Sequence, residues 1–261
     1  MKIHRIEAMV IRQLYNWRHS LDRLSDTFYW PALDLIIWGL MSIYLRNHLT
    51  SIPFIVIALL SGLIFWLIIW RSQYEITVNL LSEVWDKNLI NIFGSPLTIW
   101  EWIISAMILG SIKLFFSLLF MIAFALFLYA MNLFSFGFIL LPFVVSLLIT
   151  GWAAGFFVAG FIIRFGAKIQ TLAWVGVSVL MPFSAVFYPV ATLPSCAQSI
   201  AKFVPSSYVF EGMREILFTG NTSYDKLFIS FALNILYLTM AIWFFVFMFN
   251  KSRKLGLGRL I

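Results

Sequence analysis

Long runs of apolar residues separated by shorter polar segments occupy most of this chain. A helix needs about 20 apolar residues to cross a hydrocarbon core of about 30 Å. Six runs are close to that length or longer, and they predict membrane-spanning helices near 28–45, 53–70, 103–130, 137–161, 169–188 and 227–249. Since no linker or change of composition marks a boundary, the pattern predicts an all-α integral membrane protein with one domain, residues 1–261.

Residues 1–26 precede the first run and repeat apolar positions at helical spacing, with Arg5, Arg12 and Arg23 on the opposite side. The tryptophan in the apolar stripe, Trp17, and the span that follows favour an amphipathic helix on the membrane surface over a soluble partner-binding helix. This polar region is about as long as a whole signal peptide, so we expect no cleavable one.

The longest polar interruption runs from Arg71 to Pro96. Between 79 and 92 its apolar residues lie on one side of a helical wheel and its polar residues on the other, which predicts an amphipathic helix between two spans. Gly94 and Pro96 are expected to end it, because glycine frees the backbone and proline disfavours helix before it. We assign residues 72–96 to a cytosolic loop.

The segment 189–225 precedes the last predicted span and is divided by Pro189, Pro194 and Pro205. Its pieces, 197–203 and 207–219, are apolar and helical in pattern but too short to cross a membrane. They predict an external hairpin of two short helices that re-enters the outer leaflet and caps a cavity. Glu211 and Arg214 on the second helix could form a gate, and an ordinary solvated helix end explains them equally well.

Composition agrees with the hydrophobic pattern. The chain is 62% hydrophobic and 11% charged, whereas soluble domains are about 25% charged. Lysine and arginine favour the cytoplasmic side of membranes, and our topology places fourteen inside against four outside. The inside set is Lys2, Arg5, Arg12, Arg18, Arg23, Arg71, Lys87, Lys113, Arg164, Lys168, Lys251, Arg253, Lys254 and Arg259. We therefore expect a multi-pass protein of the cell membrane with both termini cytoplasmic, and no nucleic-acid partner.

Enzyme signatures are missing from the sequence. It has no GxxxxGK[ST] phosphate loop, no GxSxG elbow and no HExxH helix. The histidines, His4, His19 and His48, form no pair at metal-ligand spacing. The lone cysteine, Cys196, excludes an intrachain disulfide and is expected to be a small buried residue. We expect no catalytic site, metal or cofactor in this chain.

An acidic residue inside the first predicted span, Asp34, needs an explanation. A carboxylate at the centre of a membrane helix costs about 2.5–3.5 kcal/mol, so Asp34 should face protein or water. Pairing with another span and solvation near the cytoplasmic end remain equally open. Aromatic residues make up 18% of the chain, and a lipid-facing belt is the default reading. A substrate path is the sharper alternative, lined by Asp34, Phe65, Trp66, Trp174, Phe183 and Phe187.

The order of these parts resembles the permease subunit of type-2 (ABC-2) ABC exporters. SEVWDKNLINIFGSPLTIWEW is similar to the coupling helix of that family, and FYPVATLPSC with FVPSSYVFEGMREILFTG is similar to its external helix hairpin. The resemblance implies that two permease subunits form the pore and that each docks a separate ATPase subunit, which binds the ATP and Mg. It assigns the coupling contact to Glu83, Trp85, Asp86, Lys87, Gly94 and Pro96, and the external gate to Pro189, Pro194, Pro205, Glu211 and Arg214.

Two other functional classes remain. A passive channel would account for Asp34 and the re-entrant hairpin but leaves the docking-like helix unexplained. A membrane-embedded transferase would need a polar catalytic cluster that the pattern does not show. For an exporter, many aromatic residues and few intramembrane charges favour a hydrophobic or amphiphilic substrate, such as a drug, a lipid or a lipid-linked glycan, over a bare ion. Whether the second permease is a copy of this chain or a related one stays open.

Overall fold

The computed structural model describes residues 1–48, 55–130, 138, 140–220 and 223–256, and the regular elements within these ranges are all helical. This confirms the all-α class. The α-helices are α1 Ile3–Arg18, α2 Leu21–Leu24, α3 Trp30–His48, α4 Ile55–Trp85, α5 Leu89–Gly94, α6 Ile99–Tyr129, α7 Leu141–Phe165, α8 Thr171–Val175, α9 Ser195–Ala201, α10 Pro205–Thr219 and α11 Tyr224–Lys254. A π-helical turn, Ser25–Tyr29, joins α2 to α3.

Five helical stretches within the described ranges are long and apolar enough to cross a membrane. They are Leu21–Leu45, Ile57–Trp85, Ile99–Tyr129, Leu141–Ile169 and Tyr224–Lys254. They coincide with five of the six predicted spans. Arg259 and the first residues of the predicted spans 53–70 and 137–161 lie outside the described residues.

The remaining predicted span, 169–188, fifth along the chain, is not a regular transmembrane helix. It contains the short helix α8 and a 3-10 segment, Gly176–Phe183, that includes Pro182. Proline interrupts a regular α-helix here because it lacks the backbone N–H that the helix needs. The 3-10 winding is tighter than an α-helix and rises about 2.0 Å per residue, compared with about 1.5 Å in an α-helix. Gln73 and Thr77 on α4 both donate hydrogen bonds to the carbonyl oxygen of Ala173, at 2.8 and 3.0 Å, which anchors this segment to α4.

The predicted boundary at Arg71 is wrong, because α4 continues without a break from Ile55 to Trp85. Residues 71–77 are all buried, although the sequence places five polar side chains among them. They are buried because this part of α4 packs against α6 and α7 and against the π-helical turn instead of facing water. A separate amphipathic helix over 79–92 is therefore absent from the described chain, which instead turns after Trp85 and forms the six-residue α5.

Helix α7 lies at the centre of the bundle and contacts α4 on one side and α11 on the other. Gly151 allows the approach to α4, since a Cβ there would lie 2.5 Å from Ser72 Cβ and 2.6 Å from Ile69 O. Small residues of this kind bring membrane helices together. On the α11 side, Thr150 donates a hydrogen bond to Asn234 Oδ1 at 2.8 Å, a buried polar contact within the bundle.

Several elements meet at one end of the bundle, which we name the tip end after the exposed tip segment, Trp85–Pro96. Here the backbone N–H of Lys2 donates to Glu101 Oε1 at 2.8 Å, and Phe93 packs against Phe249 with ring centroids 4.6 Å apart. Helices α9 and α10 lie at the other end, the hairpin end, where Tyr237 Oη on α11 donates to Phe203 O at 2.9 Å.

The N-terminal segment 1–26 is not one helix. Helix α1 ends at Arg18, and α2 and the π-helical turn follow. The apolar stripe predicted for this segment includes Ile3, Ile6, Val10 and Leu21. Of these, Ile6 and Val10 are buried against the bundle, whereas Ile3 and Leu21 are exposed. Only part of the stripe therefore faces protein. Cys196 is exposed at the start of α9, so its prediction as a buried residue is also wrong.

Candidate functional site

A cavity of about 570 Å³ opens between α3, α4, α6 and the broken segment that contains α8. Ligand sites commonly occupy about 300–1,000 Å³, so this space accommodates a drug-sized molecule. Five tryptophans line it, and two carboxylates accompany them. The lining comprises Asp26, Trp30, Pro31, Asp34, Trp38, Leu63, Trp66, Leu67, Trp70, Tyr74, Met121, Trp174, Ser178 and Met181. We call it the aromatic cavity.

Three of the six predicted path residues, Asp34, Trp66 and Trp174, line the aromatic cavity together. The other three are not in its lining. Phe65 is buried in the neighbouring hydrophobic core, and Phe187 stacks on Trp38 at a centroid distance of 4.7 Å, behind the wall. Phe183 lies in the 3-10 segment and is partly buried.

Sequence reasoning missed Asp26, Trp70 and Tyr74 as lining residues. Tyr74 Oη donates to Asp26 Oδ2, and Trp70 stacks on Tyr74 with centroids 4.9 Å apart. Helical spacing was the available signal, because Trp66, Trp70 and Tyr74 recur every fourth residue and so share one face of α4. The predicted boundary at Arg71 hid that repeat.

A fully buried ion cluster lies beside the cavity. Glu75 on α4 forms an ion pair with Arg71 on the same helix at 2.5 Å and accepts a hydrogen bond from Lys113 on α6 at 2.7 Å, and all three side chains are at most 3% exposed. Arg71 also donates to the backbone carbonyl oxygen of Asp26 at 3.0 Å and to Thr27 Oγ1 at 2.6 Å. The sequence predicts Arg71 and Lys113 on the cytoplasmic side of the membrane, whereas in the structure they join α4, α6 and the π-helical turn.

The tip segment exposes Trp85, Asp86 and Lys87. Lys87 adopts a left-handed backbone, φ 55°, which ends α4 and turns the chain into α5. Of the predicted coupling residues, Glu83 differs from the others because it is 4% exposed and faces inward. It accepts from Gln13 Nε2 at 2.7 Å and also from Arg12, and so fastens α1 to the end of α4.

The second half of the tip segment carries the remaining predicted coupling residues. Gly94 and Pro96 are exposed, and Arg5 on α1 donates to the carbonyl oxygen of Pro96. Between α1 and this part of the chain lies a groove of about 330 Å³, lined by Arg5, Arg12, Asn88 and Pro96 among others. The tip end therefore presents an uneven surface with positive charge at its edge.

The predicted external gate residues lie at the hairpin end. Glu211 accepts a hydrogen bond from the backbone N–H of Val190 at 2.9 Å, and Arg214 donates to the carbonyl oxygen of Ala185. Desolvation lowers the pKa of Arg214, and Glu211 opposes that shift. These contacts fasten α10 to the chain that follows the broken segment.

The three gate prolines occupy different environments. Pro189 and Pro194 are exposed, whereas Pro205 is buried at the first position of α10, where its missing N–H costs nothing. Pro205 also lines a second cavity of about 700 Å³ between α7, α10 and α11. That cavity contains no charged side chain among the described residues.

The sequence was compared with known protein families. The family model described as ABC-2 type transporter matches residues 10–218, from α1 to the last turn of α10. The chain belongs to this family. A comparison with curated proteins finds no match.

Membership makes this ABC-2 chain a multi-pass transport subunit, and subunits of this family associate with an ABC ATPase. Such subunits are generally not catalytic themselves. The described residues contain no group of three or more His, Cys, Asp or Glu that could hold a metal ion. The match covers the aromatic cavity and the tip segment, so both belong to the transporter module.

Proposed function

We propose that this chain is the membrane-spanning subunit of an ATP-driven exporter for a hydrophobic or amphiphilic substrate. A separate ABC ATPase, which binds the ATP and Mg, would dock at the tip end. A second permease, either a copy of this chain or a related one, would complete the pore. One observation carries this proposal. A single 31-residue helix, α4, lines the aromatic cavity with Trp66 and Trp70 and ends at the exposed Trp85.

A continuous helix transmits motion along its axis, and 31 residues extend about 46 Å. A push at Trp85 would therefore move the wall of the aromatic cavity. The contact of Glu75 with Lys113 ties α4 to α6, so both helices would move as one body. Closure of an ATPase pair would then rock the bundle between inward-open and outward-open states. Coupled transport also requires that the substrate prefer one of these states.

The exposed apolar residues of the tip segment favour docking of a protein partner. Trp85 is 46% exposed and Ile90 is 47% exposed, with Asp86 and Lys87 between them. Large apolar groups surrounded by charged ones are typical of protein interfaces. Glu83 supports this surface from inside through α1, which revises its role from contact residue to positioning residue.

Charge distribution supports placing the tip end in the cytoplasm. Lys251, Arg253 and Lys254 end α11 at the tip end, and Arg5 and Arg12 border the groove there. Lysine and arginine accumulate on the cytoplasmic side of membranes. With this orientation both termini would be cytoplasmic and the hairpin end would face outward. Export across the cell membrane is the direction that the resemblance to ABC-2 exporters implies.

Co-purification tests the docking assignment. We would isolate the tagged full-length chain from its native cells in mild detergent and identify the proteins bound to it. We expect an ABC ATPase with the wild type and its loss with Trp85→Ala plus Ile90→Ala. The matched control is Tyr224→Ala plus Phe228→Ala, a pair that is 71% and 76% exposed at the start of α11, away from the tip end. Absence of an ATPase from the wild-type preparation would refute the proposal.

A passive channel is the second candidate, and the observation that favours it is Asp34 in the wall of an open cavity within the bundle. Flux through liposomes containing only this chain, without ATP, would support the channel. An exporter subunit should show no such flux.

A further inference from the structure

The wall of the aromatic cavity has an unbalanced charge. Of the described residues that line it, none is a lysine, arginine or histidine, while Asp26 and Asp34 are acidic. Arg71 lies within 5.2 Å of the Tyr74 ring but is 1% exposed, so its charge does not face the open space. A molecule that enters the cavity therefore meets carboxylates without a competing cation from the wall.

The two carboxylates differ in how they are neutralised. The buried cluster contains two cations, Arg71 and Lys113, and one shared carboxylate, Glu75, so it keeps one positive charge. Asp26 lies against that charge, since its backbone carbonyl oxygen binds Arg71 and its side chain accepts from Tyr74. Asp34 forms no hydrogen bond or ion pair with any described residue.

Asp34 is therefore an exposed acid in a membrane span, and none of the described residues supplies a counter-charge to it. A carboxylate in that position is costly unless it meets water or a positive group. A cation site can combine a carboxylate with aromatic rings, and the tryptophans around Asp34 supply the rings. The face of an indole ring attracts cations within about 6 Å. Two of them are held by stacking, Trp38 on Phe187 and Trp174 on Trp85. Rings fixed in this way lose little freedom on binding.

We propose that the aromatic cavity binds an amphiphilic organic cation, with the positive group at Asp34 and the apolar body against the tryptophans. This inference rests on the proposed transport function and specifies its substrate class. The cavity at Pro205 is larger, about 700 Å³, but it has no charged lining residue and offers nothing that selects a charged ligand. Neutral and anionic amphiphiles should bind the aromatic cavity more weakly, because they cannot satisfy Asp34.

Binding of two ions with matched shape and opposite charge tests the proposal. The full-length chain, with any ATPase that co-purifies, would be placed in phosphatidylcholine nanodiscs, with empty nanodiscs as background. Radiolabelled tetraphenylphosphonium is the cationic probe, and radiolabelled tetraphenylborate is the anionic probe, measured in separate samples because the two ions pair with each other in solution. We expect saturable binding of the cation and much weaker binding of the anion.

Asp34→Asn keeps the side-chain shape and removes the charge. Loss of a charged contact is expected to weaken cation binding by about tenfold or more. Glu7→Gln, an exposed acid on α1, changes the net charge equally and should leave the affinity unchanged. Trp30→Leu, at a lining residue that is 55% exposed, should also weaken binding, whereas Trp100→Leu, 50% exposed and outside the lining, should not.

Three results would overturn the cation site: no saturable cation binding to the wild type, equal affinity in Asp34→Asn, or anion binding as tight as cation binding after subtraction of the empty-nanodisc background. Co-purification of the ATPase is scored on the same preparations and does not depend on Asp34. If the ATPase is absent but Asp34-dependent binding persists, the transport proposal fails and the site stands. If the ATPase is present and binding fails, only the substrate class is wrong.

Discussion

Replacement of Glu75 by glutamine removes the carboxylate that Arg71 and Lys113 share but keeps the shape of the side chain. Glu75 lies 2.5 Å from Arg71 and 2.7 Å from Lys113, and these side chains are at most 3% exposed. Breaking a buried pair by removal of one partner costs about 3–5 kcal/mol, because the remaining charge stays desolvated. Arg71 keeps its bonds to Asp26 and Thr27.

Lys113 has no hydrogen-bond partner other than Glu75 among the described residues, so most of the loss should arise there. We expect Glu75→Gln to lower the free energy of unfolding by about 3–5 kcal/mol. Adding Lys113→Met removes the stranded charge and should recover at least half of that loss, since an apolar residue often replaces a buried ion at little cost. Recovery of stability in the double variant would show that the loss in Glu75→Gln arises from the stranded charge of Lys113 and not from poorer packing.

Unfolding in sodium dodecyl sulfate, followed by far-ultraviolet circular dichroism on the purified chain, measures these free energies. Glu7→Gln is the surface control and should change the stability by less than about 0.5 kcal/mol. A loss below about 1 kcal/mol for Glu75→Gln would contradict the reasoning, because that value is far below the cost of a stranded buried charge. The reasoning would also be contradicted if the variant with both Glu75→Gln and Lys113→Met were no more stable than Glu75→Gln alone.

Two further predictions concern packing and the tip end. Gly151→Ala should destabilise the chain by about 1–3 kcal/mol in the same assay, because the backbone of α4 must move to admit the methyl group. The control Gly94→Ala adds a methyl group in open space and should not change the stability. Equal effects of the two substitutions would contradict the close packing of α7 on α4. Glu83→Gln should weaken the attachment of α1 through Arg12 and Gln13 and raise amide hydrogen exchange in α1, with α10 unchanged; unchanged exchange in α1 would show that Glu83 does not fasten it.

Local features explain what could be predicted about the candidate site. Trp66 and Trp174 are predicted to line a substrate path as aromatic residues of the second and fifth predicted spans, and the structure brings them to one cavity with Asp34. Phe65 was assigned for the same reason but points into the hydrophobic core. Adjacent residues on a helix face different directions, and only the neighbouring helices decide which direction meets the open space.

Charged residues gave the least reliable predictions, because a charge is placed in water by default. Arg71 and Lys113 are predicted to face the cytoplasm, and Glu83 to lie on the polar face of an amphipathic helix. In the structure all three are buried. Lys113 on α6 pairs with Glu75 on α4, Arg71 donates to Thr27 in the π-helical turn, and Glu83 accepts from Gln13 on α1. Each of these buried charges has a partner that is distant in sequence. The pattern of apolar and polar residues within one segment cannot predict that partner.

The sequence by itself determined the all-α class, five of the spans and the division of the hairpin end into two short helices. These features depend on run length and on proline, which act within a single segment of chain. Only the tertiary structure decided that α4 continues through Arg71 to Trp85 and that the segment after α7 is broken. Those outcomes depend on which polar groups find partners on neighbouring helices, and such pairing arises only when the helices pack.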